Sequence, residues 1–384
     1  MERFYEIITG DELDKEKISC GNLDILGIPV ILYMAIMSNI DITENNTKPE
    51  LYNRIFAERG GIFDRFCYRG VGYDAGANPL RDRENIKKYL DFLQNMAFTM
   101  FERNSLSIKR EDCQIPTLDF LGNEISVLEF PIKHFFENVE TNIEFIHKSI
   151  YEYFVSEYIF MSICKGLDLS VNKFAGKLGK LLKSNKLSFE ILEFLRYKIK
   201  NSILIGKFNL IRDAFQVMLQ DGMTFHTKKY YKNVVERELC IFANMLEIIH
   251  LWEKDCINLK LFVNRYIKYI SDYKLNLSGF DLSNTNLDKA DLSHADLRGV
   301  DLRNTELRWA NLYRADLRNA RLTNSGFLGA NFSKANIVGA EFSEEVIKYL
   351  EKRGDISGVK VCLKITKEVI SYKEYCIRRQ EKEC

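Results

Sequence analysis

The sequence lacks a run of apolar residues long enough to span a membrane. Its longest uncharged stretch, residues 25–40, contains Pro29 and falls short of the ~18–20 apolar residues that a membrane-spanning helix needs. The N-terminus also lacks the apolar segment of a secretory leader, because charged residues at 11–17 follow it directly. We therefore expect a cytoplasmic protein without a membrane span, in which residues 25–40 form a buried helix.

Cysteine and histidine are present without the spacings that metal sites and disulfide frameworks require. The nine cysteines form no Cys-x-x-Cys pair, and the five histidines are dispersed. An odd number of scattered cysteines is typical of reduced thiols in the cytosol. The sequence therefore predicts no metal site.

Catalytic motifs are also missing. No Gly-x-Ser-x-Gly, His-Glu-x-x-His or EF-hand pattern occurs, and no Gly-x-x-x-x-Gly-Lys-(Ser/Thr) phosphate loop is present. Basic and acidic residues nearly balance, at 55 against 54, whereas a nucleic-acid binder needs a basic face. We predict that the chain is not an enzyme, has no cofactor of its own, and binds neither nucleic acid nor membrane.

The sequence does contain a long five-residue repeat. From residue 275 a large apolar residue returns at every fifth position, and a small residue returns two positions before it. The large residues are Leu277, Leu282, Leu287, Leu292, Leu297, Leu302, Leu307, Leu312, Leu317, Leu322, Phe327, Phe332, Ile337 and Phe342. The small residues are Thr285, Ala290, Ala295, Val300, Thr305, Ala310, Ala315, Ala320, Ser325, Ala330, Ala335 and Ala340.

A period of five fits neither a helix nor a flat strand. Every fifth residue would spiral around a helix of ~3.6 residues per turn, and would alternate between the two faces of a strand. Both sets of side chains share one interior only if the backbone turns a corner in each unit. Four such sides close a coil of about twenty residues, and stacked coils would lie ~4.8 Å apart. The residue between the two inward positions is usually Asp or Asn, and we expect it to point to water.

These units resemble the pentapeptide-repeat family, whose units read Ala-(Asp/Asn)-Leu-x-x. Ala290–His294 and Ala315–Asn319 match that pattern at each defined position. The predicted fold is an α + β-solenoid: a mostly helical N-terminal region, then a right-handed quadrilateral β-helix over 275–343 with a C-terminal helical cap. Because an open solenoid end must be covered, we expect helices at Leu259–Tyr273 and Glu344–Arg353 to cover the two ends.

Arginine recurs on the outside of the predicted coil. The position after the central leucine holds Arg298, Arg303, Arg308, Tyr313 and Arg318, and four units per coil would stack Arg298 on Arg318. These side chains form either a surface for an anionic or peptide partner, or a solvated face in which each Arg pairs with the neighbouring Asp row. Residues 275–343 hold eight acidic and eight basic residues, which argues against mimicry of DNA.

Residues 1–274 are predicted to be mostly helical. Apolar residues at helical spacing predict helices over Ile86–Arg103 and Ile143–Ile163, and Ser188 is placed to cap a helix over Phe189–Lys200. Two more helices are predicted within 232–270, and glycines between 60 and 76 indicate a loop. The predicted division is 1–165, a helical linker at 166–274, the repeat at 275–343, and a cap and tail at 344–384.

Two segments of the helical region resemble bacterial NACHT-type (STAND) signalling ATPases, which often carry pentapeptide repeats. Leu26–Leu32 resembles the Gly-x-Pro motif of their helical domain, and Phe145–Phe154 resembles their winged-helix segment. The resemblance implies that Pro29 lies against adenine and that His147 contacts the β-phosphate of ADP. The alternative for His147 is a core or helix-capping role. ADP or ATP would bind only if an ATPase core is supplied before Met1 or on another chain.

Three functions follow from these features. The first is a non-catalytic interaction or scaffold protein that binds protein partners through the repeat, as the sensor-side part of a NACHT-type protein. The second is a subunit or fragment of a STAND ATPase signalling or defence switch. The third is a DNA-mimicking, topoisomerase-binding protein, which the balanced charge disfavours.

Overall fold

The computed structural model describes residues 6, 9, 24–42, 44, 46–65, 77–128, 136–137, 141–221, 234–251, 276–351, 360–362 and 368–383. The chain divides into two units, of which the first contains Met1–Lys165 and Leu187–Ile205 and the second contains Gly166–Lys186 and Gly206–Cys384. The predicted helix at Leu259–Tyr273 lies outside the described residues, as does most of the predicted glycine loop.

Helices account for most of the described residues before the repeat. They are α1 (Pro29–Met37), α2 (Lys48–Ile55), α3 (Arg83–Glu102), α4 (Lys148–Cys164), α5 (Val171–Leu182), α6 (Phe189–Lys200), α7 (Phe208–Asp221) and α8 (Val234–His250). Two more, α9 (Glu344–Glu351) and α10 (Tyr372–Glu383), follow the repeat. The prediction of a mostly helical N-terminal region is therefore confirmed.

Side-chain caps explain where several of these helices begin. The Asp82 carboxylate accepts a hydrogen bond from the backbone N–H of Glu84 at 2.8 Å and starts α3. The predicted cap at Ser188 is confirmed, because its hydroxyl accepts from the backbone N–H of Ile191 at 3.3 Å. A cap satisfies an N–H group that has no partner inside the helix.

The first unit also contains strands between α3 and α4. Strand β1 (Ser107–Lys109) pairs antiparallel with β5 (Asn142–Phe145), whose other edge carries β4 (Phe136–Glu137). Strands β2 (Thr117–Phe120) and β3 (Asn123–Ser126) form a separate antiparallel hairpin.

The predicted helix over Ile143–Ile163 is wrong in its first residues. Ile143 and Phe145 are buried while Glu144 between them is half-buried, which is the alternation of a strand. The helix begins only at Lys148. Because apolar residues continue from the strand into the helix, the sequence pattern does not show where the strand ends and the helix begins.

Aromatic rings fill the core of the first unit around Tyr52. Its ring centroid lies 5.8 Å from that of Tyr153 and 5.2 Å from that of Phe194. Lys198 is buried beside them, with its ammonium 4.6 Å from the Tyr153 ring centroid and paired with the Glu157 carboxylate. A buried cation is tolerated here because it has both a carboxylate and a ring as partners.

A buried amide joins two helices of the second unit. Asn244 of α8 donates from Nδ2 to the backbone carbonyls of Leu182, at 2.9 Å, and Asn185, at 2.8 Å. Leu182 is the last residue of α5, so the amide satisfies a carbonyl that has no partner within the helix.

The repeat forms a coil with a register of twenty residues. Parallel bridges join Asn276 to Asp296, Asp281 to Asp301, Asn286 to Glu306, Asp291 to Asn311, Asp296 to Asp316, Asp301 to Arg321, Glu306 to Gly326, Asn311 to Asn331 and Asp316 to Asn336. Strands β6 (Arg321–Leu322) and β7 (Glu341–Ser343) continue the same register. Because each unit has five residues, one coil contains four units, as predicted.

Both inward rows gather inside this coil. Leu292, Leu297, Leu302 and Leu307 are at most 1% exposed, and the small residues opposite them are buried as well. Thr305, in the small row, donates from its hydroxyl to the backbone carbonyl of Leu282 at 3.0 Å. The interior is therefore apolar, and its polar groups are hydrogen-bonded.

The last residue of each described unit has a left-handed backbone. For His294 φ is 60°, and the backbone N–H of Ala295 donates to the carbonyl of Leu292 at 3.2 Å, which closes the corner between two units. The same conformation occurs at Gly279, Asn284, Lys289, Gly299, Asn304, Trp309, Arg314, Asn319, Asn324, Gly329, Lys334 and Gly339. Asn and Gly suit it because they tolerate positive φ better than other residues do.

The Asp or Asn row has a structural role that the sequence analysis missed. We expected it to point to water, but its Oδ1 atom accepts a hydrogen bond from the backbone N–H two residues later. In Asp301 this bond, from Arg303, is 3.1 Å long. Equivalent bonds are made by Asn276, Asp281, Asn286, Asp291, Asp296, Asn311, Asp316, Asn331 and Asn336.

The segment after the repeat continues the sheet. Helix α9 follows β7 directly and buries Ile347 and Leu350, as its helical spacing predicted. Strand β8 (Lys360–Cys362) pairs parallel with β7, and β9 (Val369–Ser371) pairs antiparallel with β8. Within the ranges given above, no helix is both long and apolar enough to cross a membrane.

Candidate interaction surface

The arginines predicted to stack on one face are paired with carboxylates. Nη2 of Arg298 lies 2.6 Å from Oδ2 of Asp296, and Nη2 of Arg318 lies 2.6 Å from Oδ2 of Asp316. Arg298 also reaches the next coil, where Asp316 is 4.0 Å away. The two arginines share a face because their Asp neighbours are bridged across one coil.

The other two predicted arginines are paired as well. Arg303 binds Asp301 through its Nε, at 2.8 Å from Oδ1, and its Nη2, at 2.6 Å from Oδ2. Arg308 lies 3.0 Å from Asp288 and 3.5 Å from Glu306. These contacts correspond to the solvated, paired face that the sequence left open as an alternative.

The pairing changes the proton affinities of the carboxylates. Partial burial alone would raise the pKa of Asp301, but the hydrogen bonds and charge of Arg303, together with Arg321, lower that pKa below its ordinary value. The pKa of Asp316 is lowered chiefly by its hydrogen bond from Arg318. These carboxylates are charged at neutral pH and neutralise their arginines.

Tyr313 differs from the four arginines in its surroundings. It lies on a face made of three stacked units, 290–294, 310–314 and 330–334, which we call the Tyr313 face. The guanidinium carbon of Arg314 is 5.3 Å from the Tyr313 ring centroid, and Nζ of Lys334 is 5.8 Å from it. The His294 ring meets the Tyr313 ring edge-on at 5.7 Å. One ring therefore contacts side chains from three coils.

The cations of the Tyr313 face are not paired with carboxylates. No ion pair among the described residues includes Arg314 or Lys334, and Asp291 is the one acidic residue in the three units. Asp291 is engaged, since its Oδ1 accepts from the backbone N–H of Ser293 at 3.0 Å and from Nδ2 of Asn311 at 3.1 Å. Two permanent positive charges thus remain available to solvent.

An apolar patch lies at the corner that precedes the Tyr313 face. Trp309 is 64% exposed and Leu328 is 72% exposed, and the backbone N–H of Trp309 donates to the Leu328 carbonyl at 2.8 Å. The indole of Trp309 lies on the backbone of Gly329, where an added Cβ would overlap it. We call Trp309, Leu328 and Gly329 the Trp309 patch.

The two residues predicted from the NACHT resemblance are in the first unit. Pro29 is the exposed first residue of α1, and His147 is the N-cap of α4. The Nδ1 atom of His147 accepts from the backbone N–H of Ser149 at 3.2 Å and contacts the Ser149 hydroxyl at 2.6 Å. Partial burial lowers the pKa of His147; Glu152 opposes this shift. No hydrogen bond joins Pro29 to His147 among the described residues.

A surface groove of about 700 Å³ lies along α3 in the first unit. Phe92, Met96 and Ile108 form its apolar part, and Cys113 lines its edge. Burial raises the pKa of the Cys113 thiol, so it is protonated at neutral pH and is a poor nucleophile. The described part of the chain contains no group of His, Cys, Asp or Glu residues arranged to hold a metal ion.

Sequence reasoning missed Arg314, Lys334 and His294. The arginines predicted from the sequence occupy the position directly after the central leucine, whereas these three residues occupy the last position of their units. They recur at intervals of twenty residues, which is the coil length, so reading the repeat in steps of four units would have aligned them.

A coil of five-residue units with a twenty-residue register and two inward rows defines a pentapeptide-repeat solenoid. The family model described as Pentapeptide repeats (8 copies) matches residues 274–304 and 310–344. The chain therefore contains a pentapeptide-repeat domain. No curated protein matches the chain at a significant level.

Several solved pentapeptide-repeat proteins are similar to part of this chain. One, from the Arabidopsis thaliana thylakoid lumen, is 21% identical, and the match covers 26% of this chain and 88% of that chain with a TM-score of 0.18. One from Nostoc is 29% identical, with 22% and 75% covered and a TM-score of 0.14. One from Cyanothece is 27% identical, with 18% and 58% covered and a TM-score of 0.11.

Proposed function

We propose that the pentapeptide-repeat domain is a non-catalytic surface that binds a protein partner. The observation that carries this proposal is the Trp309 patch, where two large apolar side chains are exposed on residues whose backbones are joined by a hydrogen bond between coils. Tryptophan is enriched among the residues that contribute most to protein–protein binding, and contiguous exposed apolar groups are typical of interaction sites. The indole is also held in place, because it rests on the Gly329 backbone.

The coil suits such a role because it is rigid. Each outer column is tied to the next coil by backbone hydrogen bonds and, at Asn311 and Asn331, by a side-chain bond of 3.1 Å. We propose a right-handed quadrilateral β-helix whose C-terminal end is covered by α9 and β8. We further propose a cytoplasmic location, in keeping with the free thiols of Cys113, Cys164, Cys240 and Cys376.

We propose as a second function that the first unit is the sensor-side part of a NACHT-type signalling protein. The observation that favours it is that both motif residues begin helices, Pro29 at α1 and His147 at α4. ADP or ATP would bind when an ATPase core is supplied. Calorimetry with ADP, using this chain mixed with such a core, should show weaker binding for His147→Ala than for the unsubstituted chain; equal affinities would count against it.

The interaction role is tested by substitution in the Trp309 patch. The double variant Trp309→Asn/Leu328→Asn removes the exposed apolar surface, and Asn suits the left-handed backbone at 309. The matched control is Phe189→Ser, because Phe189 is an aromatic residue of the first unit that is 77% exposed. Both variants reduce exposed apolar area without entering the core.

The readout is quantitative affinity capture from cells of the source organism. We expect the patch variant to lose at least one partner that the unsubstituted chain and the Phe189→Ser control both retain. Identical sets of captured proteins for all three chains would overturn the proposal. Circular dichroism of the variants keeps a loss of folding distinct from a loss of binding.

A further inference from the structure

The residues at the left-handed corner positions are not distributed evenly around the coil. Two of the four columns contain Gly or Asn at every described position: Gly279, Gly299, Asn319 and Gly339 in one, and Asn284, Asn304 and Asn324 in the other. The two columns that border the Tyr313 face contain Lys289, Trp309 and Gly329 on one side and His294, Arg314 and Lys334 on the other.

This distribution places backbone strain beside the Tyr313 face. A non-glycine residue in the left-handed region is strained, and Asn tolerates this conformation better than Arg or Lys does. For Arg314 φ is 56° and for Lys334 it is 59°, so both cations occupy a backbone that disfavours them. Strained residues concentrate at functional sites, where the side chain is needed for something other than folding.

Charge separates the Tyr313 face from the others. Elsewhere on the coil, each arginine of the outer row has a carboxylate within 4 Å, as in the pairs Arg298–Asp296 and Arg303–Asp301. On the Tyr313 face, Arg314 and Lys334 face the Tyr313 ring in place of a carboxylate. A cation that rests on a ring keeps its charge available to a ligand.

We propose that the Tyr313 face binds an acidic segment of a protein partner, whose carboxylates pair with Arg314 and Lys334. This inference rests on the proposed interaction role and names the chemistry of the partner. The two cations come from successive coils, which are ~4.8 Å apart, so neighbouring acidic side chains of one segment can reach both.

A protein segment fits this face better than nucleic acid does. A nucleic-acid site gains its affinity from cations along many phosphates. The Tyr313 face presents two permanent cations, and on the adjoining faces the arginines are paired with carboxylates such as Asp288 and Asp296, so they do not extend the positive charge along a phosphate backbone. The aromatic groups at both edges, Trp309 and Tyr313, are typical of protein interfaces.

The test uses Arg314→Asn/Lys334→Asn in the full chain. Asn occupies the same left-handed position at 304 and 319, so the variant removes both charges without a new backbone conflict. The control is Lys173→Gln/Lys180→Gln, which removes two charges from exposed positions of α5 and leaves the net charge equal to that of the test variant.

The probe is a fluorescein-labelled decapeptide of alternating Glu and Ala, with a Gln–Ala peptide of the same length for comparison, measured by anisotropy. We expect the Glu peptide to bind the unsubstituted chain and the control alike, and the test variant at least about tenfold more weakly. The proposal is overturned if the unsubstituted chain does not bind the Glu peptide, if the control loses as much affinity, or if the Gln peptide or a short DNA duplex binds better.

The capture experiment on the Trp309 patch distinguishes the two proposals. In one outcome, Trp309→Asn/Leu328→Asn loses partners in the capture experiment, but Arg314→Asn/Lys334→Asn binds the Glu peptide as well as the unsubstituted chain does. The interaction role then stands and the acidic partner is excluded. If peptide binding depends on the two cations while the capture sets are identical, the anionic site stands and the Trp309 patch is excluded.

Discussion

The Asp row of the coil allows its two roles to be separated by experiment. In Asp301, Oδ1 accepts from the backbone N–H of Arg303 at 3.1 Å, and both carboxylate oxygens bind the Arg303 guanidinium. Asp301→Asn keeps an oxygen for the backbone bond but removes the charge. Asp301→Ala removes both interactions. The difference between the two variants therefore measures the backbone bond alone.

The expected magnitudes follow from exposure. The Arg303 side chain is 42% exposed and that of Asp301 is 17% exposed, so solvent screens the ion pair. An ion pair of this kind contributes about 0.5–1 kcal/mol, and a partly exposed hydrogen bond contributes about 1 kcal/mol. We expect Asp301→Asn to lower the local opening free energy by about 0.5–1 kcal/mol and Asp301→Ala to lower it by about 1.5–2 kcal/mol.

Native-state hydrogen exchange is the suitable assay, because a chain of two units need not unfold in one step. The reporters are the backbone N–H of Asp301, which donates to the Phe280 carbonyl at 2.9 Å, and that of Leu302, which donates to the Arg321 carbonyl at 2.8 Å. Equal losses in the two variants would refute the role of the backbone bond. A loss in neither would refute both roles.

Three further predictions concern the same coil. Because the pKa of Asp301 lies below 3.8 in the folded chain, the stability that its charge contributes is present above about pH 4 and is lost as the pH falls through the folded pKa. Hydrogen exchange should therefore show a lower local opening free energy at about pH 3 than at about pH 5, with a smaller drop for Asp301→Asn. Equal drops in the two chains would contradict this prediction. Leu302→Ala, in the buried inward row, should lower the local opening free energy by about 3 kcal/mol, whereas Leu328→Ala, at an exposed outward position, should lower it by less than about 0.5 kcal/mol. Similar losses would mean that the inward and outward positions are misassigned. In a chain from which the second tryptophan has been removed, Gly329→Ala should shift the fluorescence of Trp309, because the added Cβ displaces the indole. An unchanged spectrum would contradict the contact between the indole and the Gly329 backbone.

The interior of the coil could be predicted from the sequence because two rows obey one period. Leu292 and its equivalents specify one inward position, and Ala290 and its equivalents specify the other. Only a backbone that turns a corner in each unit can bury both, so sterics alone led to the twenty-residue coil. The cap at Ser188 was predictable for a similar reason, since a hydroxyl before an amphipathic run satisfies a free N–H group.

The candidate site was harder to predict because it depends on which outer residues are paired. The Asp row made an ion pair of Arg298 one of two alternatives, whereas nothing in the sequence indicated that Arg314 lies against a ring. Some of these contacts form within one unit, as Arg298–Asp296 does. Others, such as Arg308–Asp288 and Lys334–Tyr313, arise from stacking between coils, which a period of five conceals and a period of twenty reveals. The strand at Asn142–Phe145 was missed for a local reason, since the apolar run continues into α4.

Site-specific photo-crosslinking tests the central claim most directly. A p-benzoylphenylalanine in place of Tyr313 keeps an aromatic ring on the proposed face, and the same group in place of Thr323 occupies the equivalent position on the opposite face of the coil. After irradiation in cells of the source organism, we predict a partner adduct from position 313 and none from position 323. Adducts of equal yield from both positions, or from 323 alone, would contradict the account.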